Sequence, residues 1–299
     1  MYEKWKGVHT RCAFNMIQEL IPLTRPRTLA AALGPTILGA AFSYYAFGAA
    51  QGTGLAILHT VLIFLAVVTA QIVANLWNEY KDFKSGLDAG QKVGNAGSIT
   101  RGVITPELII TMIKVLMFVP IIIGLYLSTT ITWYYIPVGF LCILISFLYS
   151  GGPKPISRTP FGEISSGIAM GFAIVLITGY AWTRELSLAL LIPAIPSTLL
   201  VGSIMLTNNI RDIRNDESHG RHTLPIMLGR ERALSLMSIS YIFNFIWIIA
   251  WIIVGHMTWF ALLAFLAAPL AFKTIHTLST NTDEFLSLIH ISEPTRHAQ

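Results

Sequence analysis

Apolar segments alternate with shorter polar ones through most of the chain. All but the short last one are close to the roughly 20 residues that an α-helix needs to cross a bilayer. Only 12% of the residues are charged, whereas soluble domains carry about a quarter. The pattern therefore predicts an all-α, polytopic transmembrane helical bundle. We expect eight spans, near residues 29–48, 55–77, 108–127, 132–150, 161–182, 187–207, 233–254 and 258–272.

The lysines and arginines are distributed unevenly between the predicted connections. All except Lys114, inside the third span, and Arg184 lie before the first span, after an even-numbered span or after the last one. Because cytoplasmic segments carry the excess of positive charge, this predicts a cytoplasmic N-terminus and cytoplasmic even-to-odd loops in a cell's inner or plasma membrane. The net charge of +5 then reflects membrane topology, so we expect lipid and no nucleic acid as a partner.

Two polar segments follow directly on apolar spans, at the predicted cytoplasmic ends of spans 2 and 6. If both helices continue, each segment places amide and carboxylate side chains on one helix face. These side chains are Asn75, Asn78 and Asp82 in the first segment, and Asn208, Asp212 and Asp216 in the second. Such groups are costly beside hydrocarbon unless they have a function. We predict that the two acidic segments converge on one site.

The residue types in these segments suit magnesium and diphosphate. Mg²⁺ prefers oxygen ligands and commonly joins one or two carboxylates to substrate phosphates. Asp88, beyond the first segment, supplies a further carboxylate. Nearby cations that could neutralise a diphosphate are Lys84, Arg101, Lys154, Arg211 and Arg221. The alternative is that these are ordinary solvated loop charges, but the shared spacing of Asn78 to Asp82 and Asn208 to Asp212 favours the site. Glu79 lies off that face, so we expect it to be solvated or to support a ligand rather than be one.

The connection after span 4 is rich in glycine and proline, which predicts a turn at the membrane surface. Tyr149 and Lys154 could reach a diphosphate or an acidic aromatic substrate from this turn. The alternative interpretation is a turn whose cations face lipid headgroups.

At these positions the chain resembles the UbiA superfamily of intramembrane aromatic prenyltransferases, and within it the 1,4-dihydroxy-2-naphthoate polyprenyltransferases of menaquinone synthesis. The resemblance covers about residues 20–286. It is carried by Arg25-Pro-Arg-Thr-Leu29, by Asn75-Leu-Trp-Asn-Glu-Tyr-Lys-Asp82 with Gly86-Leu-Asp88, by Tyr149-Ser-Gly-Gly-Pro153, and by Asn208-Asn-Ile-Arg-Asp212 through Gly220-Arg-His-Thr-Leu224 to Leu228-Gly229.

The resemblance implies nine transmembrane helices around a central cavity open to the cytoplasmic side. It also implies a Mg²⁺-dependent transfer of a prenyl group from a polyprenyl diphosphate to 1,4-dihydroxy-2-naphthoate, giving demethylmenaquinone, diphosphate and CO₂. Carried over by position, the metal ligands are Asn78, Asp82, Asp88, Asp212 and Asp216, with Asp82, Asp212 and Asp216 catalytic and with Arg25, Asn75, Asn208 and Tyr149 among the substrate contacts.

Other interpretations of the same residues stay open. The acceptor could be 4-hydroxybenzoate, homogentisate or a tetrapyrrole precursor, with the chemistry unchanged. A secondary transporter of an anionic metabolite is a different class, and it would need charged groups at both ends of the bundle. The predicted far-side loops carry only Arg184 and Glu185.

Three features depart from the family pattern. Glu79 stands where many relatives have Asp. Lys154 follows Tyr149 by five residues where the 4-hydroxybenzoate branch has four, which favours the naphthoate branch and weakens a role for Lys154. A ninth apolar span is expected after residue 286, but residues 287–299 are too short and polar to cross a membrane. We therefore expect a transmembrane domain over residues 1–286 and a truncated or foreign polar tail over 287–299.

Overall fold

The computed structural model describes residues 20–86, 98–100, 102 and 104–280, and over these ranges it is helical, without strands. A 3-10 turn (Pro26–Leu29) precedes the first long helix, and two more turns (Ile156–Arg158 and Leu188–Leu190) lie in later connections. The helices are α1 (Ala30–Phe47), α2 (Thr53–Ser85), α3 (Pro106–Thr130), α4 (Tyr135–Ser150), α5 (Gly162–Thr183), α6 (Leu191–Arg211), α7 (Ile213–Ser218), α8 (Leu224–Leu228), α9 (Arg230–Ile253) and α10 (Trp259–Thr280).

Seven helices in the described ranges are long and apolar enough to cross a membrane, namely α1, α2, α3, α5, α6 with its preceding turn, α9 and α10. The chain is thus a multi-pass membrane protein, as predicted. The predicted span at 132–150 corresponds to α4, which is apolar but has only 16 residues, so an eighth crossing stays a prediction. The expected polar tail lies outside the described residues.

The outer surface of the bundle is apolar, as a lipid-facing surface must be. Large side chains such as Leu188, Ile253 and Leu266 are 84%, 80% and 76% exposed. Soluble proteins rarely expose apolar surface over so wide an area. The buried clusters are correspondingly small, and each lies where several elements meet, as between α6, α9 and α10 or between α2, α3, α4 and α5.

Helices α5 and α6 pack so closely that their backbones are in contact. Helix α5 contains a π-helical stretch, Gly167–Phe172, with a glycine at each end of a Gly-x-x-x-Gly pattern. A Cβ on Gly171 would stand 2.5 Å from Thr198 Cα, and one on Gly167 would stand 2.6 Å from Thr198 O. Small residues allow such close approach in membrane helices, where packing rather than water drives association.

A tryptophan of α9 supplies a hydrogen bond that is missing from the backbone of α6. Pro196 lies inside that helix and has no N–H to donate to the carbonyl of Ile192. The Trp247 indole N–H of α9 donates to that carbonyl at 2.9 Å. This bond attaches α9 to α6 at the place where proline interrupts the helical ladder.

Helix α2 continues well beyond the predicted membrane span, which ends near residue 77. With 33 residues it is about 50 Å long, which exceeds the roughly 30 Å of bilayer hydrocarbon. The helix ends at Gly86, whose φ of 74° is left-handed and whose N–H bonds to Asp82 O. The first acidic segment is therefore helical and forms the last turns of α2.

Candidate active site at one end of the bundle

The first acidic segment occupies the last turns of α2 and is fixed against α4. The hydroxyl of Ser150 donates to Oδ1 of Asn78. One residue earlier, the Trp77 indole N–H donates to Phe147 O at 3.0 Å. These two bonds hold the end of α4 beside the predicted metal-binding face.

Asn75 joins the same helix to the segment that precedes α1. It is 3% exposed, and its amide N–H group donates to Thr24 O at 2.9 Å and to Thr28 Oγ1 at 3.3 Å. Arg25 lies between these two residues in a left-handed conformation, φ 49°, and acts electrostatically on Asp82. Asn75 therefore anchors the arginine segment, and its contact with substrate stays a prediction.

The second acidic segment is not one continuous helix face. Helix α6 ends at Arg211, Asp212 forms a turn, and α7 begins at Ile213. Arg211 holds Asp212 through two bonds, Nε to Oδ1 at 2.8 Å and Nη2 to Oδ2 at 2.7 Å. The break separates the environments of the two carboxylates, because Asp212 is 41% exposed while Asp216 is almost fully buried.

Arg221 joins the two acidic segments directly. Its Nη2 lies 3.2 Å from Asp82 Oδ1, and its Nη1 lies 3.2 Å from Asp216 Oδ1. Asp82 and Asp216 come from helices far apart in sequence, yet they share one guanidinium. The prediction that the two segments converge at one end of the bundle is confirmed.

The glycine- and proline-rich connection after α4 closes over the same end. The His222 N–H donates to Arg158 O at 2.9 Å, which ties this connection to the segment carrying Arg221. Arg158 also acts electrostatically on Asp82. Tyr149 is partly buried at the end of α4, where its hydroxyl hydrogen-bonds with Ser166. Asp82 is thus paired with Arg221 and lies within electrostatic reach of Arg25 and Arg158.

A buried carboxylate that the sequence analysis missed supports the second segment. Glu163, at the start of α5, is 4% exposed, and its Oε1 accepts from the Asn209 amide at 2.8 Å. Asn209 is adjacent to the predicted Asn208. A glutamate inside the predicted span 161–182 was the available signal, since ionisable groups in membrane spans mark functional regions.

Glu79 is buried and supports the packing of α2. It lies off the metal-binding face, as expected, but the alternative of a solvated side chain is wrong. The residue is 2% exposed, and its Oε1 accepts from the Ser98 N–H at 2.7 Å. Glu79 therefore ties α2 to the segment that leads into α3.

The remaining predicted residues occupy less defined positions. Lys84 is exposed and lies over the Tyr80 ring at 6.0 Å, and Lys154 is exposed in its turn. Asn208 is partly buried. Asp88 and Arg101 lie outside the described residues. For these positions a role in the site stays a prediction.

The donor set fits a hard divalent cation, although the carboxylates are now engaged by arginines. No group of three or more Asp, Glu, His or Cys within the described ranges is arranged to hold a metal ion. Burial raises the pKa of Asp216 to about 6; Arg221 opposes that rise, while Asp212 and Asp82 add to it. Carboxylates crowded at a buried site are stabilised by added positive charge, which is what Mg²⁺ would supply.

Known proteins match the chain over most of its length. The model of the UbiA prenyltransferase family matches residues 32–284. The 1,4-dihydroxy-2-naphthoate octaprenyltransferase of Bacillus subtilis (strain 168) is 36% identical, over 85% of this chain and 80% of that protein. The protein of the same name from Mycobacterium tuberculosis is 30% identical, over 83% of this chain and 82% of its own length.

Solved structures share the fold. A UbiA homologue from Archaeoglobus fulgidus bound to GPP and Mg²⁺ superposes with a TM-score of 0.63 at 16% identity, covering 92% of this chain and 97% of that one. The apo structure of a UbiA homologue from Aeropyrum pernix K1 gives a TM-score of 0.63 at 20% identity, covering 89% and 91%. The family match, the relatives and the common fold agree: this chain belongs to the UbiA prenyltransferase family.

Proposed function

We propose that the protein transfers a polyprenyl group from a polyprenyl diphosphate to 1,4-dihydroxy-2-naphthoate in a Mg²⁺-dependent reaction. The relatives from Bacillus subtilis and Mycobacterium tuberculosis are named for octaprenyl transfer to this acceptor. The UbiA homologue from Archaeoglobus fulgidus holds GPP together with Mg²⁺. We assign the activity to residues 1–286 and give the polar segment 287–299 no part in it.

The observation that carries the proposal is the contact of one arginine with both acidic segments. Arg221 lies 3.2 Å from a carboxylate oxygen of Asp82 and 3.2 Å from one of Asp216. Two carboxylates this close, from separate helices, can share a metal–diphosphate ligand. An apolar bundle beside them gives a prenyl chain a place to lie.

The proposed ligands of Mg²⁺ are Asn78, Asp82, Asp88, Asp212 and Asp216. When bound there, Mg²⁺ would neutralise the diphosphate and make it a better leaving group. Arg25, Arg158 and Arg221 add positive charge around Asp82 and would hold the diphosphate oxygens that the metal leaves free. Ser150 and Thr24 hold Asn78 and Asn75, so the helix end that carries Asp82 is fixed before substrate binds.

The transfer exchanges one bond at the prenyl carbon for another. The allylic C–O bond breaks, and the electron pair leaves with the diphosphate. The electron-rich carbon of the acceptor ring then forms a C–C bond to the allylic cation. In the naphthoate acceptor the same ring carbon loses its carboxylate as CO₂, and its electron pair restores the aromatic ring. The apolar surroundings keep water from the cation.

We further propose that the protein lies in an inner or plasma membrane with the site end facing the cytoplasm. Arginines and lysines concentrate at this end, which is the distribution expected for cytoplasmic loops. A prenyl tail could then remain in the lipid while the diphosphate and the water-soluble acceptor meet at the membrane surface.

The test is an assay with purified protein, Mg²⁺, a polyprenyl diphosphate and a panel of aromatic acids, with products resolved by mass spectrometry. The panel contains 1,4-dihydroxy-2-naphthoate, 4-hydroxybenzoate and homogentisate. We expect a prenylated, decarboxylated product from the naphthoate alone and no product when Mg²⁺ is chelated. A product from 4-hydroxybenzoate or homogentisate instead would replace the acceptor and keep the reaction class.

The variants Asp82→Asn and Asp212→Asn should each lower turnover at least about 100-fold, because each removes a charge that holds the metal–diphosphate. Glu217→Gln is the matched control, since Glu217 is exposed next to Asp216 in α7 and should leave turnover unchanged. Normal turnover in both aspartate variants would contradict the assignment of the site.

A further inference from the structure

Arg221 is held in place by its own backbone as well as by its ion pairs. Its N–H donates to Asp216 O at 3.0 Å, and the next N–H, of His222, donates to Arg158 O. The preceding Gly220 has a left-handed φ of 67°, which turns the chain back over Asp216. The guanidinium is therefore directed at the two carboxylates by the local fold, and its side chain is 16% exposed.

The guanidinium of Arg221 contacts the same carboxylate oxygens that a metal ion would need as ligands. It contacts Oδ1 of Asp82 and Oδ1 of Asp216, while Arg211 engages both oxygens of Asp212. Among the described residues, three carboxylates that the proposed function gives to Mg²⁺, those of Asp82, Asp212 and Asp216, are thus paired with two arginines. Positive charge between buried carboxylates offsets their mutual repulsion, so the acidic site is stable without metal.

An arginine fork binds a carboxylate and a phosphate with the same geometry. A diphosphate arriving at this end could therefore accept the Arg221 N–H groups that the carboxylates now hold. The carboxylate oxygens released in this way would become available to Mg²⁺. Neither ligand alone can complete this exchange. If Mg²⁺ bound alone, it would take the carboxylates and leave the nearby guanidinium without an anion to pair with.

We propose that Arg221 is a placeholder cation, which occupies the acidic site in the absence of substrate and passes to the diphosphate when Mg²⁺ binds. The proposal rests on the proposed function, since it takes a prenyl diphosphate and Mg²⁺ as the ligands. Its consequence is positive coupling: each ligand strengthens the binding of the other, by the same factor in both directions. The protein would then bind Mg²⁺ tightly only together with a prenyl diphosphate.

The first experiment uses the unmodified protein in detergent at pH 8. Mg²⁺ is titrated with and without geranyl diphosphate, without an aromatic acceptor, and binding is followed by calorimetry and by the shift in Tm. We expect geranyl diphosphate to lower the Kd of Mg²⁺ by between about 5- and 150-fold, the usual range of coupling between two sites. Equal affinity for Mg²⁺ with and without geranyl diphosphate would overturn the placeholder role.

The second experiment repeats the titrations with Arg221→Gln. Removing the competing cation should tighten the binding of Mg²⁺ alone by at least about threefold and reduce the coupling factor. Arg232→Gln is the matched control, because Arg232 is an exposed arginine in the first turn of α9 and should behave like the unmodified protein. If Arg221→Gln does not fold, Arg221→Lys keeps the charge without the fork and should still reduce the coupling.

The outcomes separate the two proposals. Weaker binding of Mg²⁺ alone in Arg221→Gln, or full coupling retained in Arg221→Lys, would show that Arg221 only positions the carboxylates, and would overturn the placeholder role while leaving the proposed function intact. An unmodified protein that binds no Mg²⁺ even with geranyl diphosphate would contradict the proposed function, and the placeholder role with it.

Discussion

Asp216 is the residue whose protonation should be most visible in metal binding. Burial raises its pKa to about 6, and only the ionised carboxylate can ligate Mg²⁺. Affinity for Mg²⁺ should therefore be full above pH 6 and fall as the pH drops through 6, by up to about tenfold per unit because one proton must be displaced. Calorimetric titration of Mg²⁺ between pH 5 and pH 8, in the presence of geranyl diphosphate, measures this.

The control for that titration is Asp216→Asn, measured against the same ligand. The diphosphate titrates in both proteins, so the difference between the two pH profiles belongs to Asp216. We expect the variant to bind Mg²⁺ more weakly at pH 8 and to depend less on pH below 6. Profiles that run parallel over the whole range would exclude Asp216 as the titrating ligand.

At the residue scale, the sequence identified donors but not their partners. Asp82 and Asp216 could be chosen because amides and carboxylates recur at helical spacing after apolar spans. The sequence could not show that Arg221 joins these two aspartates. Its contact with Asp82 spans 139 positions of the chain and depends on the left-handed turn at Gly220. Glu163 and Asn209 were missed for the same reason: each has its partner on another helix.

Among the elements, the contact between α5 and α6 depends on glycine. Gly171→Ala would place a Cβ 2.5 Å from Thr198 Cα, which the two backbones can relieve only by moving apart. We expect a loss of about 1–3 kcal/mol of stability, the usual cost of overpacking, seen as a lower Tm in detergent. The matched control is Gly124→Ala in α3, where no atom lies within 4 Å of the added Cβ. Equal Tm values for the two variants would contradict the close packing.

Helix lengths show where sequence reasoning at the element scale succeeds and where it fails. The continuation of α2 through Asp82 was expected from the spacing of its polar residues, and the structure confirms it to Ser85. The break at Asp212 was not expected, because no proline or glycine marks it. It accompanies two side-chain pairings that have no simple sequence signature, that of Asp212 with Arg211 and that of the buried Asp216 with Arg221.

For the whole molecule, hydropathy was sufficient to predict the class of fold. A helix that crosses the hydrocarbon layer must be long and apolar. The hydropathy pattern along the sequence therefore predicts most of the helical architecture. The distribution of arginines and lysines likewise predicted that the acidic segments share an end. The pattern could not show how the helices pack, because lipid-facing and helix-facing apolar residues look alike in sequence.

We propose that two acidic segments, one on α2 and one after α6, hold a single diphosphate through magnesium. A structure of the protein solved with Mg²⁺ and geranyl diphosphate tests it most directly. We predict diphosphate and metal density between Asp82 and Asp216, with the guanidinium of Arg221 on the diphosphate. Diphosphate bound at the opposite end of the bundle, or ligated by only one of the two segments, would contradict the account.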